Sequence, residues 1–507
     1  MPAAVPMMVS WSCIAILLVW TSFWQPQLDS KSSTAAIANA WLLAAMLSAG
    51  MGMIQYFGVA HVFGPWVSNL AAGEAYANLR QRNQFATLCS LGLLSLLWRV
   101  ATWRSHQMSI DKTPRGPSAT HWLSWGLGAL LLAGGNAASG SRTGFLQWWL
   151  IAGMGLLWWL RGRAAGSLSN SPRRSAAMAL AAVVMYLACL WFLPRLLWLT
   201  TGVESGGLLA RFGEESGCGS RSILWANVLH LIALKPWMGW GWGELGFAHF
   251  VTLYPGVRFC DILDNGHNLP LHLAVELGLP IAVGVCGGLA WLVIRARPWC
   301  ESHPVRQLAF GVLAVIALHS LVEYPLWYGP FQMAAGLSVW LLWFTPALAD
   351  TGPDGLVQTP TAFVISPLAV INTAFIALFL GAGTACAAWS YWRVSQLYLP
   401  QAERAPAYQE NALGKLQAVR LFKRQVQFAE LTTTPLTADN AAHLNVLALE
   451  LLHFSPEPRV AEKVIESAAM LQRDDVTAFF SQRYQAAFPK EHAHWAAQLT
   501  GAGHKTP

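Results

Sequence analysis

The sequence predicts an all-α protein: a polytopic membrane bundle of about ten or more transmembrane helices, with one large polar loop and a small helical domain at its C-terminal end. Two observations carry this. Charged residues make up 11% of the 507-residue chain and hydrophobic ones 55%, whereas a soluble domain carries about 25% charged residues. The apolar residues also gather in runs that approach the ~20 residues needed to cross ~30 Å of hydrocarbon. The 27 Trp fit the same class, because an indole sits well at the level of lipid headgroups.

The runs fall, in order, near 9–24, 35–57, 84–103, 121–138, 143–160, 176–199, 279–295, 307–325, 327–347 and 363–390. Each is read as a helix, since backbone polar groups in lipid must be satisfied within their own segment. Between 121–138 and 143–160 only Ser139-Gly140-Ser141-Arg142 remains, a tight re-entry turn. Basic residues set the orientation. By parity Arg99, Arg104, Lys112 and Arg115 share a side with Arg161, Arg163, Arg173 and Arg174, and with Arg295, Arg297 and Arg306. The positive-inside rule puts that side in the cytoplasm.

Arg142, the loop 200–266 and the turn at Glu323-Tyr324 then face outward, and the loop's six acidic against four basic residues agree. The same parity puts the N-terminus outside with almost no chain before the first run. Either it lies there, or leading helices are missing. Residues 1–390 are thus read as a transmembrane domain that includes the 200–266 loop. From 391 to 507 charge rises and apolar residues recur at helical spacing, as in AEKVIESAAMLQ and DDVTAFFSQRYQAAF, which reads as a helical domain on the outer side. Pro456 and Pro458 mark a helix start within it.

The outer face holds the residues with chemistry to offer. In DNGHNLPLHLAVELG, His267 and Asn268 stand nine residues ahead of Gly278, at the edge of an apolar run. An imidazole titrates near 6.5, so His267 can take a proton from a hydroxyl at neutral pH. A histidine that merely solvates a helix start is the plain alternative. His272 and His319 are weaker candidates. Arg221 opens SRSILWANVLHLIAL, where Ile223, Leu224, Val228, Leu231 and Ile232 form an apolar face suited to lying along a membrane. Arg142 and Arg221 can hold phosphate oxygens bidentately; anchoring at the interface is the other reading of each. Arg80 and Arg82 are further outer-face cations, and Glu323 with Tyr324 can line an acceptor path or simply form a turn. A base beside fixed cations suits a hydroxyl displacing a phosphate-bearing leaving group.

Other classes are disfavoured. Among the eight cysteines no CxxC pair or Cys/His ligand spacing occurs, and no paired aspartates mark the outer loops, so no metal and no cofactor are expected. Cys218 and Cys260 share the polar loop, where an oxidising compartment would let them pair; two separate thiols remain the alternative. GWGWGEL lacks the GK[ST] ending of a phosphate loop. The net charge of +7 sits in short loops as a topology signal, and no nucleic-acid partner is expected.

Taken together, SGSRTGF around Arg142, SRSILWANVLHLIALKPWMGWGWG from Arg221 and the His267-Asn268…Gly278 pattern resemble the bacterial O-antigen ligase and polymerase superfamily. ANLRQRNQFATLCSLGLLSLLW, HSLVEYPLWYGPF and the tail FSPEPRVAEKVIESAAMLQ resemble its protein O-oligosaccharyltransferase branch, whose acceptors include pilins. The resemblance runs from about residue 35 to the C-terminus. It implies a multi-pass enzyme of the bacterial inner membrane, acting at the periplasmic face on an undecaprenyl-diphosphate-linked oligosaccharide. His267 would match the essential histidine, and Arg142 and Arg221 the arginines that hold the diphosphate. Transfer would be inverting and metal-independent, to Ser or Thr of a periplasmic protein such as a pilin. The lipid A core or another glycan are alternative acceptors, and a lipid-linked glycan transporter is the alternative outside enzymes.

Overall fold

The computed structural model describes residues 8–14, 16, 30–103, 117–164, 171–208, 217–345 and 367–502. Most of the first apolar run, 9–24, and the basic residues Arg104, Lys112 and Arg115 lie outside them. The described residues are helical and contain no strand. Ser30–Tyr56 (α1), Arg82–Thr102 (α2), Ala119–Ser139 (α3), Arg142–Ala164 (α4) and Ser171–Thr201 (α5) come first. Arg221–Leu234 (α6), Leu245–Val251 (α7), Leu269–Leu277 (α8), Leu279–Ala296 (α9), Pro304–Ser320 (α10), Gly329–Phe344 (α11) and Pro367–Ser395 (α12) follow. The C-terminal helices are Ala412–Leu416 (α13), Lys423–Thr433 (α14), Ala441–Leu452 (α15), Pro458–Met470 (α16), Asp474–Ala487 (α17) and Pro489–Ala502 (α18).

Among the described residues, five helices are long and apolar enough to cross a membrane: Ser33–Tyr56, Arg82–Thr102, Pro172–Thr201, Leu279–Cys300 and Ala374–Tyr398. This is a multi-pass membrane protein. The runs at 121–138 and 143–160 are helices too, but their Trp, Gly and polar residues dilute the apolar content, as in HWLSWGLGALLLAGGNAAS.

The chain divides into two compact units, residues 1–215 with 290–378, and residues 216–289 with 379–507. In the first, α2 is the central helix and 78% of its most apolar stretch is buried. Neighbouring helices reach it through small residues. A Cβ added at Gly92 would run into the Cβ of Ala45, and one at Gly135 would lie 2.8 Å from that of Ala49. Without a hydrophobic drive between helices in lipid, such close backbone approach supplies the packing. Phe85, Leu132, Trp148 and Tyr186 fill the remaining core, with Trp148 and Tyr186 ring centroids 5.2 Å apart.

In the second unit α6, α7 and α8 form one core around Leu224, Val228, Leu231, Leu245 and Val275. The apolar stripe of 221–234 is therefore covered by protein, not laid along lipid. A helical stripe says that something apolar covers it, without saying what. Cys218 and Cys260 are bonded, their Cα atoms 5.3 Å apart, a normal span for a disulfide. The C-terminal helices pack in sequence around Leu444, Leu451, Val460 and Val464, and Phe250 of α7 enters that core. Pro458 opens α16 at its first position, where its missing N–H costs nothing.

Candidate functional site

The candidate residues fall into two groups, one in each unit. In the second unit the His267–Gly278 stretch resolves into one helix with both of its ends encoded. Asn268 is the N-cap of α8, its Oδ1 accepting from the Leu271 N–H at 3.0 Å, and the nine intervening residues are the whole of the helix. Gly278 ends it at φ 85°, where side chains are disfavoured. A Cβ there would also strike the carbonyl of Trp237. The close approach is mutual, since a Cβ at Gly239 would strike the carbonyl of Glu276. Between them Trp240 N–H donates to Val275 O and Gly241 N–H to Glu276 O, both at 2.9 Å, and Leu279 N–H donates to Pro236 O at 2.8 Å. GWGWGEL is thus a clamp on the C-terminal end of α8.

His267 precedes the cap at φ 48°, a region few non-glycine residues enter. Its N–H donates to Asn265 Oδ1 at 2.9 Å. The preceding carbonyl, of Gly266, accepts from Trp225 Nε1 at 3.2 Å. Arg221 is the first residue of α6, behind the N-cap Ser220. In the other unit Arg142 is the first residue of α4, after Gly140 closes α3 at φ 58°. All three candidates therefore stand at helix N-termini, where exposed N–H groups and the helix dipole favour an anion. That common placement was not visible in the sequence.

Around Arg142 the first unit holds a buried polar seam. Ser141 Oγ donates to Asn83 Oδ1 at 2.6 Å, and Asn83 Nδ2 donates to Glu323 Oε1 at 3.2 Å. Glu323 is 4% exposed. Deeper in, Gln147 Nε2 donates to Thr87 Oγ1 at 2.8 Å, and Thr87 Oγ1 lies 2.9 Å from His319 Nδ1. His319 is thus buried, as its place in an apolar run suggested, with Nδ1 in hydrogen-bond reach of Thr87. The turn of Arg142 and Glu323 are brought together through Asn83; Arg80, exposed at φ 58°, takes no part in these hydrogen bonds. Arg82 pairs with Glu74. Tyr324 is half-buried and stacks on Tyr328, centroids 5.9 Å apart. A cavity of about 240 Å³ in this unit is lined by Tyr56, Glu74, Gly140, Leu193, Pro194 and Ser205, among others. Sequence reading passed over Asn83, Thr87 and Gln147, although polar residues within apolar runs are a signal for such seams.

Two buried histidines bear on stability in the second unit. Burial, then the Arg258 guanidinium, pushes His249 down to about 3. Burial, then the charge of His267, pushes His272 down to about 4. Unfolded histidines titrate near 6.5, so below that pH the unfolded state binds protons that the fold does not. Stability of α7 and α8 is complete above about pH 6.5 and falls as pH drops toward 4, by up to about 1.4 kcal/mol per pH unit per group. Glu276, raised by its burial, offsets part of this at the acid end. Amide exchange of α7 and α8 should quicken between pH 7 and pH 5 relative to α15; unchanged relative protection would refute it.

The comparisons with known proteins divide along the chain. Residues 127–286 match the family model described as O-antigen ligase, residues 75–100 that of protein glycosylation ligase, and residues 307–500 that of virulence factor membrane-bound polymerase, C-terminal. A general O-oligosaccharyltransferase of Acinetobacter baylyi is 26% identical over 342 residues, 66% of this chain and 54% of that protein. A ComP-specific O-oligosaccharyltransferase of the same organism is 28% identical over 117 residues, 23% of this chain and 21% of that protein. The chain spans about half the length of the first relative. No solved structure matches. These matches bear out the resemblance to the O-antigen ligase and polymerase superfamily and to its protein O-oligosaccharyltransferases.

Proposed function

We propose that the chain is an O-linked oligosaccharyltransferase of the bacterial inner membrane. It moves a glycan en bloc from undecaprenyl diphosphate to Ser or Thr of a periplasmic protein such as a pilin, with inversion and without a metal. The observation that carries this reading is the turn of His267, held at φ 48° ahead of the N-cap of α8. A backbone strained in this way persists only where the surroundings hold it, which is a mark of functional positions. The matches to glycosylation ligases and O-oligosaccharyltransferases support it.

In this mechanism the acceptor hydroxyl oxygen attacks the anomeric carbon of the first sugar. The bond from that carbon to the diphosphate oxygen breaks, and the hydroxyl proton passes to His267. Arg142 and Arg221 offset the charge growing on the leaving diphosphate, each aided by the N-terminus of the helix it opens. Asn268 keeps His267 in register, and Glu323 and Tyr324 contribute to the acceptor path. Arg80 is a peripheral cation for the donor.

The test is transfer by purified protein from lipid-linked oligosaccharide, with a pilin and a lipid A core offered side by side. Glycosylated pilin, unaffected by EDTA, is expected. Transfer to the lipid A core alone would favour the ligase reading, which the match over 127–286 also permits. Arg221→Ala and Arg142→Ala should each lower turnover by about 10²–10³, the usual cost of one donor aimed at developing charge. Arg→Lys at either position should recover only part of it, because a point charge does not reproduce the guanidinium fork. Full turnover in both alanine variants would remove the diphosphate role.

A further inference from the structure

Beneath His267 lies a buried pair that the mechanism does not use. His272 and Glu276, one turn apart on α8, are 3% and 2% exposed, with His272 Nε2 and Glu276 Oε2 3.5 Å apart. The other ring nitrogen, Nδ1, lies 3.4 Å from the N–H of Gly266. A backbone N–H only donates, so Nδ1 carries the lone pair and the ring proton sits on Nε2, directed at the carboxylate. Glu276 accepts in addition from the N–H groups of Gly243 and Leu245. The row thus runs from the clamp loop, through Glu276 and His272, to the peptide just before His267.

We propose that His272, with Glu276 behind it, is a positioning residue that holds the Gly266–His267 peptide in the left-handed turn from which His267 acts. The inference rests on the reading of His267 as the base. The turn has three fastenings: Asn265 takes the His267 N–H, Trp225 caps the Gly266 carbonyl, and His272 takes the Gly266 N–H. Asn265 and Trp225 hold the two polar atoms of the Gly266–His267 peptide, and His272 ties Gly266 to the helix that follows. Without that acceptor the Gly266 N–H is left buried and unmet, and φ 48° at His267 loses a support it needs. The neutral ring suits the role. Burial holds His272 well below its ordinary range, so it stays an acceptor at Nδ1 and adds no positive charge beside His267.

A positioning role makes a prediction that general support of the fold does not. His272→Ala should lower kcat by roughly tenfold or more, the weight of one buried hydrogen bond left unmade, with KM for the lipid-linked donor unchanged. His272→Asn puts an oxygen where Nδ1 stood and should restore most of kcat. Glu276→Gln keeps one acceptor oxygen but turns a donating NH2 toward the remaining donors, so its kcat should fall between that of the unsubstituted protein and that of Glu276→Ala, which should sit close to His272→Ala. The proposal is overturned if kcat in His272→Ala stays within twofold, if KM rises in its place, or if Asn fares no better than Ala. Should His272→Ala fail to fold, the Asn and Gln variants decide alone, since lost activity in both refutes the assigned hydrogen bonds. His267→Ala is assayed alongside. If it keeps its activity, the reading of the base has failed; if it is inactive while His272→Ala is not, only the positioning role has.

Discussion

Replacing His267 by alanine is expected to lower glycan transfer by about 10²–10⁴-fold, the ordinary worth of a positioned general base. Three substitutions separate the ring from the backbone that carries it. Ala removes the ring but fits φ 48° poorly. Asn tolerates the left-handed region well and keeps the turn without offering a base. Gly fits it best and leaves space where the ring stood. All three should be inactive, and only the Gly variant should regain transfer when imidazole is added to the buffer. The fold should survive throughout, because the Asn268 cap at 3.0 Å and the bond to Asn265 at 2.9 Å involve no atom of the ring. Initial rates with a defined lipid-linked donor and pilin measure this, with melting in detergent as the control. Undiminished transfer in the Asn variant would end the case for His267 as the base.

How far this site was legible depends on the range of the interactions that build it. The spacing of Asn268 and Gly278 was readable because both are local signals, a side-chain cap and a residue free to take φ 85°. What the spacing meant was not readable. Only the clamp of Trp240 and Gly241 on the carbonyls of Val275 and Glu276 explains why Gly278 admits nothing larger. The polar seam is harder still, for Asn83 meets Glu323 across 240 residues of chain. No local pattern pairs an amide before one apolar run with a carboxylate after another.

The grouping of 216–289 with the C-terminal helices is of the same kind. His453 Nδ1 lies 2.6 Å from Glu244 Oε2, the His453 ring stacks on Phe247 at 3.7 Å, and Arg483 Nε donates to Val251 O at 2.9 Å. These contacts sew α7 to a domain that sequence composition had set apart. The clamp loop therefore has the His267 helix on one side and the C-terminal helices on the other. Helical periodicity located each piece; partner choice was beyond it.

Gly278→Ala should be the most damaging single methyl group in this region. Two costs combine. An L side chain at φ 85°, ψ 162° carries roughly 1–3 kcal/mol of backbone strain, and forcing a methyl into a packed site costs about 1–3 kcal/mol more. The methyl would meet the Trp237 carbonyl, with Met238 N at 3.0 Å, and these are backbone atoms that no rotamer change can move aside. Relief must come from separating the loop and the helix, which breaks the bonds from Trp240, Gly241 and Leu279. Because α8 is nine residues long, a shift at Gly278 reaches Asn268 and His267 little diminished. Loss of melting temperature and loss of transfer should therefore appear together. Gly284, a few residues on in α9 with open space around its Cα, is the control: alanine there should leave transfer intact and stabilise slightly, by up to about 1 kcal/mol, since alanine is the better helix former. If Gly278→Ala behaves like Gly284→Ala, the clamp is not what fixes the catalytic turn, and the spacing that singled out His267 would need another physical cause.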